Sequence, residues 1–501
     1  MNLNYQNLIG KQVTLNGRDA ATHLLSSFCE AIVSSCSCNG IYENNLFGRP
    51  LTFSTSGDLS FSIGFASTGL RVGNLLKPGE IASNIQIISD SVRLHIPLVI
   101  FVSVESQFQI NQLVQTGAVV FSAGNSQEAL DLLMISYQIA ELSLITVVIC
   151  IDEEICKREE NIFFLLKETI VHFAPNTDFL INSPTTSQQI IFGKNRKRIP
   201  GWFNPDNPLS IGAPKRTNEA ALETAAQHEF FNIHLDEIIQ NSFDQFNKSI
   251  KDYSLTTLQK PEMRYINGVS ISPVSLFLNS KKDADYILLS YGVVSNKIIQ
   301  VVDNYNAKNK IKINAAYLVQ ISPFPEKSIR QVISGKKGVT LLERELTGVN
   351  SSNILKELLC LTNNGQKIYY GNYGNLPTED QCLDAITNMM PGGKGKPRFR
   401  LGIDFTRTNS KFPKHEVLLQ TIDREYPDAQ KKTLNSGQHS VLDNKDNAQN
   451  LHQEEGRKEL NIPLSIRKYK DQGPAYSKLS RFYDDTISFF MTEPEELVAD
   501  P

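Results

Sequence analysis

The sequence lacks the residue patterns that mark several large classes of protein. Its 501 residues carry a net charge of −3, so no basic excess indicates a nucleic-acid partner. The seven cysteines are scattered, and the only close pair, Cys36 and Cys38, lacks the spacing of a zinc or iron–sulfur site. No apolar run approaches the roughly 20 residues of a membrane span, and the first residues show no signal-peptide pattern. These absences predict a cytoplasmic protein with reduced cysteines and no metal or cluster, bound to neither membrane nor nucleic acid.

Motifs that would identify an enzyme directly are missing as well. The eight histidines are dispersed, and no Gly-x-Ser-x-Gly nucleophile motif occurs. The glycine- and lysine-rich residues 391–396 do not form a phosphate loop, because Lys396 is followed by Pro397 and not by Ser or Thr. The function has to be inferred from the order of the predicted elements and from the turns between them.

What the sequence does contain is a regular alternation of predicted strands and helices. Residues 97–104, 118–122 and 145–151 are apolar runs rich in β-branched residues, as expected of strands buried on both faces. Residues 79–94 and 126–142 have helical periodicity, with Ser126 as the predicted cap of the second helix. This alternation predicts an α/β domain with a parallel sheet and helices on both faces.

Residues 51–73 are predicted to form the ligand-binding end of this sheet. A short β-rich run breaks at residues 56–58 and continues as a segment with small residues on closely spaced turns up to Gly73. A strand that enters a helix through a tight turn places that turn at the carboxyl end of the sheet, where α/β proteins bind their ligands.

The second half of the chain begins another α/β unit. Residues 286–291, 313–319, 339–342 and 368–370 are its predicted strands. The predicted organisation is an α/β domain (1–180), an excursion and helical connector (181–270), a second α/β domain (271–392), the start of a third domain (393–427), a disordered linker (428–461) and an aromatic docking arm (462–501).

Several short motifs, in the same order, resemble the pyruvate:ferredoxin (2-oxoacid:ferredoxin) oxidoreductase family. The likeness covers roughly residues 11–410. It rests on NGRDAATH at 16–23, NLFG at 45–48, the glycine-containing helix at 64–69, QTG at 115–117, NSQEA at 125–129, NPD at 204–206, residues 285–292 and ISPF at 321–324. The resemblance implies a thiamine-diphosphate-binding-like parallel-sheet domain, then a transketolase-C-terminal-like α/β domain, then a partly disordered C-terminal extension.

The resemblance also implies a cofactor that this chain does not complete. Members of the family bind thiamine diphosphate between a pyrimidine-binding part, which contributes a glutamate, and a separate part that holds the diphosphate through magnesium. The Gly-Asp-Gly…Asn motif of that second part does not occur in this sequence, nor do the Cys-x-x-Cys motifs of iron–sulfur centres. Thiamine diphosphate is therefore expected only at an interface with a partner chain.

The chain departs from the family at the glutamate itself. The alignment places Thr55 at this position, and a hydroxyl cannot exchange a proton with the aminopyrimidine ring as a carboxylate does. Asp58 would replace the glutamate only if the turn were shifted. Thr55 and Asp58 are the candidate catalytic residues, and Ser54, Thr55 and Gly57 are the candidate pyrimidine-facing residues.

Three further departures concern the substrate. Residues 35–39 keep nothing of the family's Tyr-Pro-Ile-Thr-Pro-Ser loop. Glu105 stands where the family has a substrate-binding arginine, and its charge would repel a 2-oxoacid carboxylate. The family's Gly-Asp-His loop is deleted between Gln107 and Gln115.

These observations lead to one main hypothesis and three alternatives. The main hypothesis is a catalytically degenerate, architectural module of a 2-oxoacid:ferredoxin oxidoreductase-like complex, in a homo- or hetero-oligomer with diphosphate-binding and electron-transfer subunits. The alternatives are an active pyruvate-type subunit with the diphosphate site on a partner chain, a scaffold in a sulfite reductase-type assembly, and a pure interaction protein. Substrate and electron acceptor stay open.

Overall fold

The computed structural model describes residues 8–36, 39–200, 220–254, 271–276, 284–345, 352–362, 365–402 and 413–426. The chain divides into two compact units, residues 1–403 with 432–436, and residues 404–431 with 437–501. The predicted linker at 428–461, the docking arm and the loop around Trp202 lie outside the described residues.

The first 200 residues alternate strands and helices. The elements are β1 (Gln12–Asn16), α1 (Gly17–Phe28), β2 (Ala31–Ser34), β3 (Thr52–Ser54), α2 (Ser60–Ser67), β4 (Val72–Leu76), α3 (Ile81–Arg93), β5 (Val99–Val104), α4 (Gln107–Val114), β6 (Val119–Ala123), α5 (Ser126–Ser143), β7 (Val147–Asp152), α6 (Glu153–Lys157), β8 (Glu159–Phe163), α7 (Lys167–Phe173), β9 (Ile181–Asn182), α8 (Thr186–Phe192) and β10 (Asn195–Arg196).

The later elements repeat this alternation. They are α9 (Ala220–Phe230), α10 (Leu235–Ser254), β11 (Val274–Leu276), β12 (Tyr286–Tyr291), α11 (Val294–Lys308), β13 (Ile313–Leu318), β14 (Gln320–Ser322), α12 (Glu326–Ile333), β15 (Gly338–Arg344), α13 (Asn353–Leu361), β16 (Lys367–Tyr373), α14 (Glu379–Met389), β17 (Arg398–Leu401) and α15 (Pro413–Glu425). The helix α15 is the described part of the second unit.

The first sheet has the strand order β14-β6-β7-β5-β4-β2-β3, and the strands from β6 to β3 are parallel. Every residue of β5 and β7 is buried, because helices cover both faces of the sheet. The second sheet has the order β11-β13-β12-β15-β16-β17, with only β11 antiparallel to its neighbour. The predicted α/β class is confirmed.

Strand β14 joins the two halves of the first unit. It pairs antiparallel with β6, with Gln320 opposite Phe121, and the amide N–H of Ser122 donates to the carbonyl of Val319 at 2.7 Å. The chain therefore runs from β13 of the second sheet directly into the edge of the first. This strand was not predicted from the sequence.

The prediction that small residues continue on closely spaced turns up to Gly73 is wrong for the second half of that segment. Helix α2 ends at Ser67, and Gly69 has a φ of +94° that a continuing helix does not allow. Gly73 instead lies in the buried strand β4, where a Cβ atom would approach Cδ1 of Ile32 to 2.7 Å. The same Cβ atom would also approach Cβ of Leu25 in helix α1 to 3.0 Å, so the glycine permits close packing of β4 against both the neighbouring strand and α1.

The predicted cap of α5 is displaced by one residue. The side chain of Asn125 accepts a hydrogen bond from the Glu128 amide at 2.8 Å, so Asn125 caps the helix in place of Ser126. Helix α1 is capped in the same way by Asn16, whose side chain accepts a hydrogen bond from the Asp19 amide at 2.8 Å.

An ion-pair cluster lies at the amino ends of the strands of the first sheet. Arg71 is 1% exposed and pairs with Glu141 at 2.7 Å, and Arg198 approaches the same carboxylate at 3.1 Å. Burial alone would raise the pKa of Glu141, but the charges of Arg198 and Arg71 lower it. Because Arg198 follows β10, the cluster anchors that segment to the sheet. Within the described residues, no helix is both long and apolar enough to cross a membrane.

Candidate functional site

The predicted site residues Ser54, Thr55, Gly57 and Asp58 lie in one turn at the carboxyl end of β3. This strand is the last of the first sheet, so the turn lies at the outer edge of the sheet. Thr55 is exposed. The structure brings the four residues together, as predicted, and their individual contacts decide what they can do.

Asp58 is engaged in the local structure of the turn. Its carboxylate accepts a hydrogen bond from the Ser60 amide at 2.8 Å, at the start of α2. The hydrogen bonds from the backbone and side chain of Ser60 lower the pKa of Asp58. A carboxylate with a lowered pKa is a weak base, which makes it poorly suited to exchange a proton near neutral pH.

Gly57 lies against a side chain that the sequence reasoning missed. A Cβ atom on Gly57 would approach Oε1 of Glu80 to 2.6 Å, which shows that this carboxylate lies directly beside the turn. Glu80 accepts a hydrogen bond from the Lys77 amide at 2.9 Å. Asn84 holds the turn from the other side, since its Nδ2 donates to the Gly57 carbonyl at 2.8 Å and its Oδ1 accepts from the Leu59 amide at 2.9 Å.

Charged side chains occupy the carboxyl edge at strands β2, β5 and β7. Arg18, in the first turn of α1, donates to Sγ of Cys36 at 2.6 Å and to Oγ of Ser103 at 3.0 Å. It also forms an ion pair with Glu153 at 3.5 Å, and Lys157 approaches Glu153 at 2.8 Å. Burial opposes ionisation of Glu153, but hydrogen bonds from Lys157 and Ser103 and the charge of Arg18 lower its pKa.

Glu105 is exposed directly after β5, on the same edge. The hydrogen bond that Lys157 donates to Glu153 is the main cause that raises the pKa of Lys157, and the charge of Glu105 adds to it. Glu105 therefore adds negative charge close to the Arg18–Glu153–Lys157 group. The residues that follow it form helix α4, where the family has a longer loop.

The carboxyl edges of the two sheets meet through one arginine. Arg344, the last residue of β15, pairs closely with Asp152 at the end of β7 and reaches Glu154 at 3.5 Å. Its Nε also donates to the Gly374 carbonyl at 3.1 Å. Sequence reasoning missed this contact because its partners lie 192 residues apart.

Residues 284–380 match the family model described as pyruvate:ferredoxin oxidoreductase core domain II. The chain is similar to this family over the matched segment. The core domain II contains β12, β13, β15 and β16 of the second sheet. The family resemblance predicted from the sequence is confirmed.

One solved structure supports the fold over a wider range. The 2-oxoglutarate:ferredoxin oxidoreductase from Magnetococcus marinus, solved with 2-oxoglutarate, coenzyme A and succinyl-CoA bound, has a TM-score of 0.51 at 11% identity. The match covers 77% of this chain and 66% of that chain, just under two thirds of its length. An inactive β4 tetramer of a split-gene transketolase has a TM-score of 0.42 at 8% identity, covering 74% of this chain and 96% of that chain. No curated protein sequence matches the chain.

The polar side chains at the turn have contacts within the chain. At the turn, Thr55 offers a hydroxyl, Asp58 is bound to the Ser60 amide, and Glu80 is bound to the Lys77 amide. Among the described side chains, no group of three or more His, Cys, Asp and Glu residues could hold a metal ion.

Proposed function

We propose that the chain is a catalytically degenerate, architectural module of a 2-oxoacid:ferredoxin oxidoreductase-like complex. The observation that carries the proposal is the turn at Thr55. The position of the family's glutamate holds an exposed hydroxyl, and the neighbouring Asp58 has its carboxylate on the Ser60 amide. The proton exchange with the aminopyrimidine ring has no suitable partner there.

The ion pairs at the same edge support the proposal. Arg18 and Glu153 neutralise each other and are also bound to Ser103 and Lys157. A site for a 2-oxoacid needs a cationic group whose donors are available to the substrate carboxylate. In this chain the arginine at the edge is already engaged, and Glu105 adds a negative charge next to it.

Exposed aromatic side chains beside the turn support binding to partner subunits. Phe61 of α2 is 39% exposed and stacks on Phe65 with ring centroids 5.7 Å apart, and Phe108 of α4 is 44% exposed. Apolar side chains grouped on a surface are typical of protein interfaces. The family resemblance makes diphosphate-binding and electron-transfer subunits the proposed partners, in the cytoplasm.

An active subunit is the second candidate, and Glu80 is the observation that favours it. Its carboxylate lies beside Gly57, so a shift of the turn would bring it toward a pyrimidine ring bound there. The diphosphate and magnesium would then be held by a partner chain. This candidate requires Glu80 to release the Lys77 amide.

Calorimetric titration of the co-purified complex with thiamine diphosphate and magnesium separates the two candidates. The architectural module predicts either no binding, or binding that Thr55→Ala, Asp58→Ala and Glu80→Gln leave unchanged. Thr68→Ala is the matched control, since Thr68 is an exposed threonine at the other end of α2. Binding that is lost in the turn variants and kept in the control would overturn the proposal.

The partners are identified by the composition of the purified complex. An iron–sulfur subunit supports the 2-oxoacid oxidoreductase assembly, whereas a sirohaem subunit would support the sulfite reductase-type alternative. The predicted docking arm is tested by pull-down with and without residues 474–501. Unchanged recovery of partners would count against the arm.

A further inference from the structure

Two buried carboxyl groups lie where the two halves of the first unit meet. The first half comprises the described residues up to 254 and the second half residues 271–402, and at their junction β14 of the second half pairs with β6 of the first. Glu128 of the first half is 2% exposed, and Glu343 of the second half is 1% exposed. No described lysine or arginine is among the groups that act most strongly on either carboxyl. A buried carboxylate without a counter-charge is strongly disfavoured, so both groups favour the neutral acid.

Glu128 hydrogen-bonds across the junction. Its Oε1 accepts from the Tyr317 hydroxyl of β13 at 2.8 Å, and its Oε2 accepts from the Gly124 amide at 2.7 Å. Asn296 of α11 donates to the Gly124 carbonyl at 3.2 Å, so this corner of the first half touches two elements of the second. The charged neighbour of Glu128 is Asp131 on the same helix, which has the same sign. The contact to Tyr317 is compatible with a neutral acid, because a hydroxyl can both donate and accept.

Glu343 makes the equivalent contact from the opposite direction. Its carboxyl has the neutral side chains of Ser352, Tyr370 and Gln107 as hydrogen-bond partners. Gln107 is the first residue of α4, which follows β5 of the first half. The charged neighbour is Glu345, again of the same sign. Each half therefore contributes one buried carboxyl that touches the other half.

The remaining titratable groups around Glu343 do not balance a negative charge. The buried tyrosines close to it are Tyr291, Tyr370 and Tyr373. Burial is the main cause that raises the pKa of all three, so they stay neutral. The adjacent Arg344 is directed to Asp152 and Glu154 of the first half, where it forms a separate contact across the junction.

We propose that Glu128 and Glu343 make the junction pH-sensitive: their protonated carboxyls keep the two halves in contact, and their ionisation favours a local separation of the halves. In the closed junction, burial raises the pKa of each carboxyl to about 7, from 4.5 for a group in water. Separation exposes both groups to water, so the open junction holds fewer protons than the closed one between pH 4.5 and pH 7. The closed form is therefore favoured most below pH 4.5 and loses this advantage as the pH rises through 7.

The proposal concerns this chain alone and does not depend on the proposed function. The two pKa values set the size of the effect. From pH 5.5 to pH 7.5, the equilibrium between the closed and the open junction should shift toward opening about 20-fold for each carboxyl, and about 400-fold for both together.

The test is hydrogen exchange of the full chain at pH 5.5 and pH 7.5, read by mass spectrometry and corrected for the intrinsic pH dependence of amide exchange. The reporter is the Ser122 amide of β6, which donates to the Val319 carbonyl across the junction at 2.7 Å. The amides of β7, in the interior of the first sheet, serve as the reference for global unfolding. The Ser122 amide should be less protected than β7 at both pH values and should lose about 400-fold of its protection from pH 5.5 to pH 7.5.

Two results would overturn the proposal. A loss of protection below about tenfold at Ser122 would show that opening does not expose the carboxyls. Equal protection of Ser122 and β7 at both pH values would show that the halves separate only when the whole unit unfolds.

Variants identify the carboxyls that are responsible. Glu343→Gln and Glu128→Gln each replace one carboxyl with a neutral amide of nearly the same shape, so each should reduce the pH-dependent loss at Ser122 to about 20-fold. The matched control Glu345→Gln removes a neighbouring carboxylate and should keep the full loss. If Glu128→Gln does not fold, the comparison of Glu343→Gln with Glu345→Gln decides. A loss of about 400-fold that persists in Glu343→Gln would refute the role of this carboxyl.

Discussion

The carboxyl edges of the two sheets balance their charges in opposite ways. At the first sheet, Arg18 and Glu153 form an ion pair with further hydrogen-bond partners from the same chain. At the second sheet, Glu343 is 1% exposed and has only the neutral side chains of Ser352, Tyr370 and Gln107 as hydrogen-bond partners, so burial raises the pKa of its carboxyl to about 7. The first edge is the one at which the family resemblance implies a cofactor.

This difference shows that the place of an edge in a fold does not reveal whether the edge can bind a ligand. The turn at Thr55 has the expected position, but the polar groups around it are bound to one another. The edge at Glu343 has no expected ligand, and its buried carboxyl has a raised pKa because burial outweighs the hydrogen bonds from its neutral neighbours. The contacts of each side chain, and not its place in the fold, therefore determine the chemistry of an edge.

The largest effect is expected at Arg344, which connects the two edges. Arg344→Met leaves Asp152, which is 8% exposed, without its main counter-charge. Removal of one partner from a buried pair is costly, so the free energy of unfolding should fall by about 3 kcal/mol in urea denaturation. The control Arg330→Met breaks an exposed pair with Glu326 and should cost less than about 1 kcal/mol. Equal losses would mean that Arg344 does not hold the two edges together.

The pH dependence of stability tests whether the pKa of the buried Glu343 carboxyl at the second edge is raised. Burial raises the folded-state pKa of Glu343 from 4.5 to about 7, so the folded protein holds this proton more tightly than the unfolded chain. The resulting stabilisation is complete below about pH 4.5 and is lost as the pH rises through about 7. Between pH 4.5 and pH 8, the contribution of Glu343 to the free energy of unfolding should fall by an amount on the order of 3 kcal/mol.

The variant Glu343→Gln isolates this contribution in urea denaturation at a series of pH values. The variant should show a shallower decline than the wild type. Part of the decline should remain, because the pKa of the buried Glu128 is also raised to about 7, mainly by burial. Identical pH profiles for the variant and the wild type would show that Glu343 does not titrate in this range.

Local patterns in the sequence predict the sheets well where burial on both faces determines the residues. Strands β5 and β7 appear as continuous apolar runs because every residue in them is buried. Strand β14 has the short polar sequence Gln-Ile-Ser, and its strand conformation depends on pairing with β6, about 200 residues earlier in the sequence. Only the folded chain provides that pairing.

The candidate site shows the same limit. The turn at residues 54–58 is predictable, because serine, glycine and aspartate after a strand favour a turn. The Arg18–Glu153 ion pair cannot be predicted from the sequence, because the two residues are 135 positions apart and each resembles an ordinary surface charge. Glu343 likewise appears as a charged residue at the end of a strand, and only its burial between two sheets makes it unusual.

A pair of matching substitutions compares the two buried glutamates whose pKa values burial raises. Glu128 accepts hydrogen bonds from the Gly124 amide at 2.7 Å and the Tyr317 hydroxyl at 2.8 Å. Glu128→Gln replaces one acceptor oxygen with a donor, so one buried donor loses its partner at a cost of about 2 kcal/mol. Both variants also remove a carboxyl whose pKa burial raises to about 7, and this loss of a buried titrating group by itself stabilises the folded protein at pH 7. Glu343 has only side-chain partners, so Glu343→Gln should be about 2 kcal/mol more stable than Glu128→Gln at pH 7. Equal stabilities of the two variants in urea denaturation would remove the distinction between the two residues.

The smallest effect is expected at Asp58, where it decides between a structural and a cofactor-binding carboxylate. Asp58→Ala removes the acceptor for the Ser60 amide and should lower the free energy of unfolding by about 1 kcal/mol. Asp58→Asn keeps an acceptor oxygen and should recover most of this loss, whereas a role in proton exchange requires the carboxylate itself. If Asp58→Ala and Asp58→Asn leave stability unchanged while both abolish thiamine diphosphate binding to the complex, Asp58 belongs to a working site. The reverse result, a change in stability without a change in binding, places Asp58 in the structure of the turn and leaves the first edge without a catalytic carboxylate at this position.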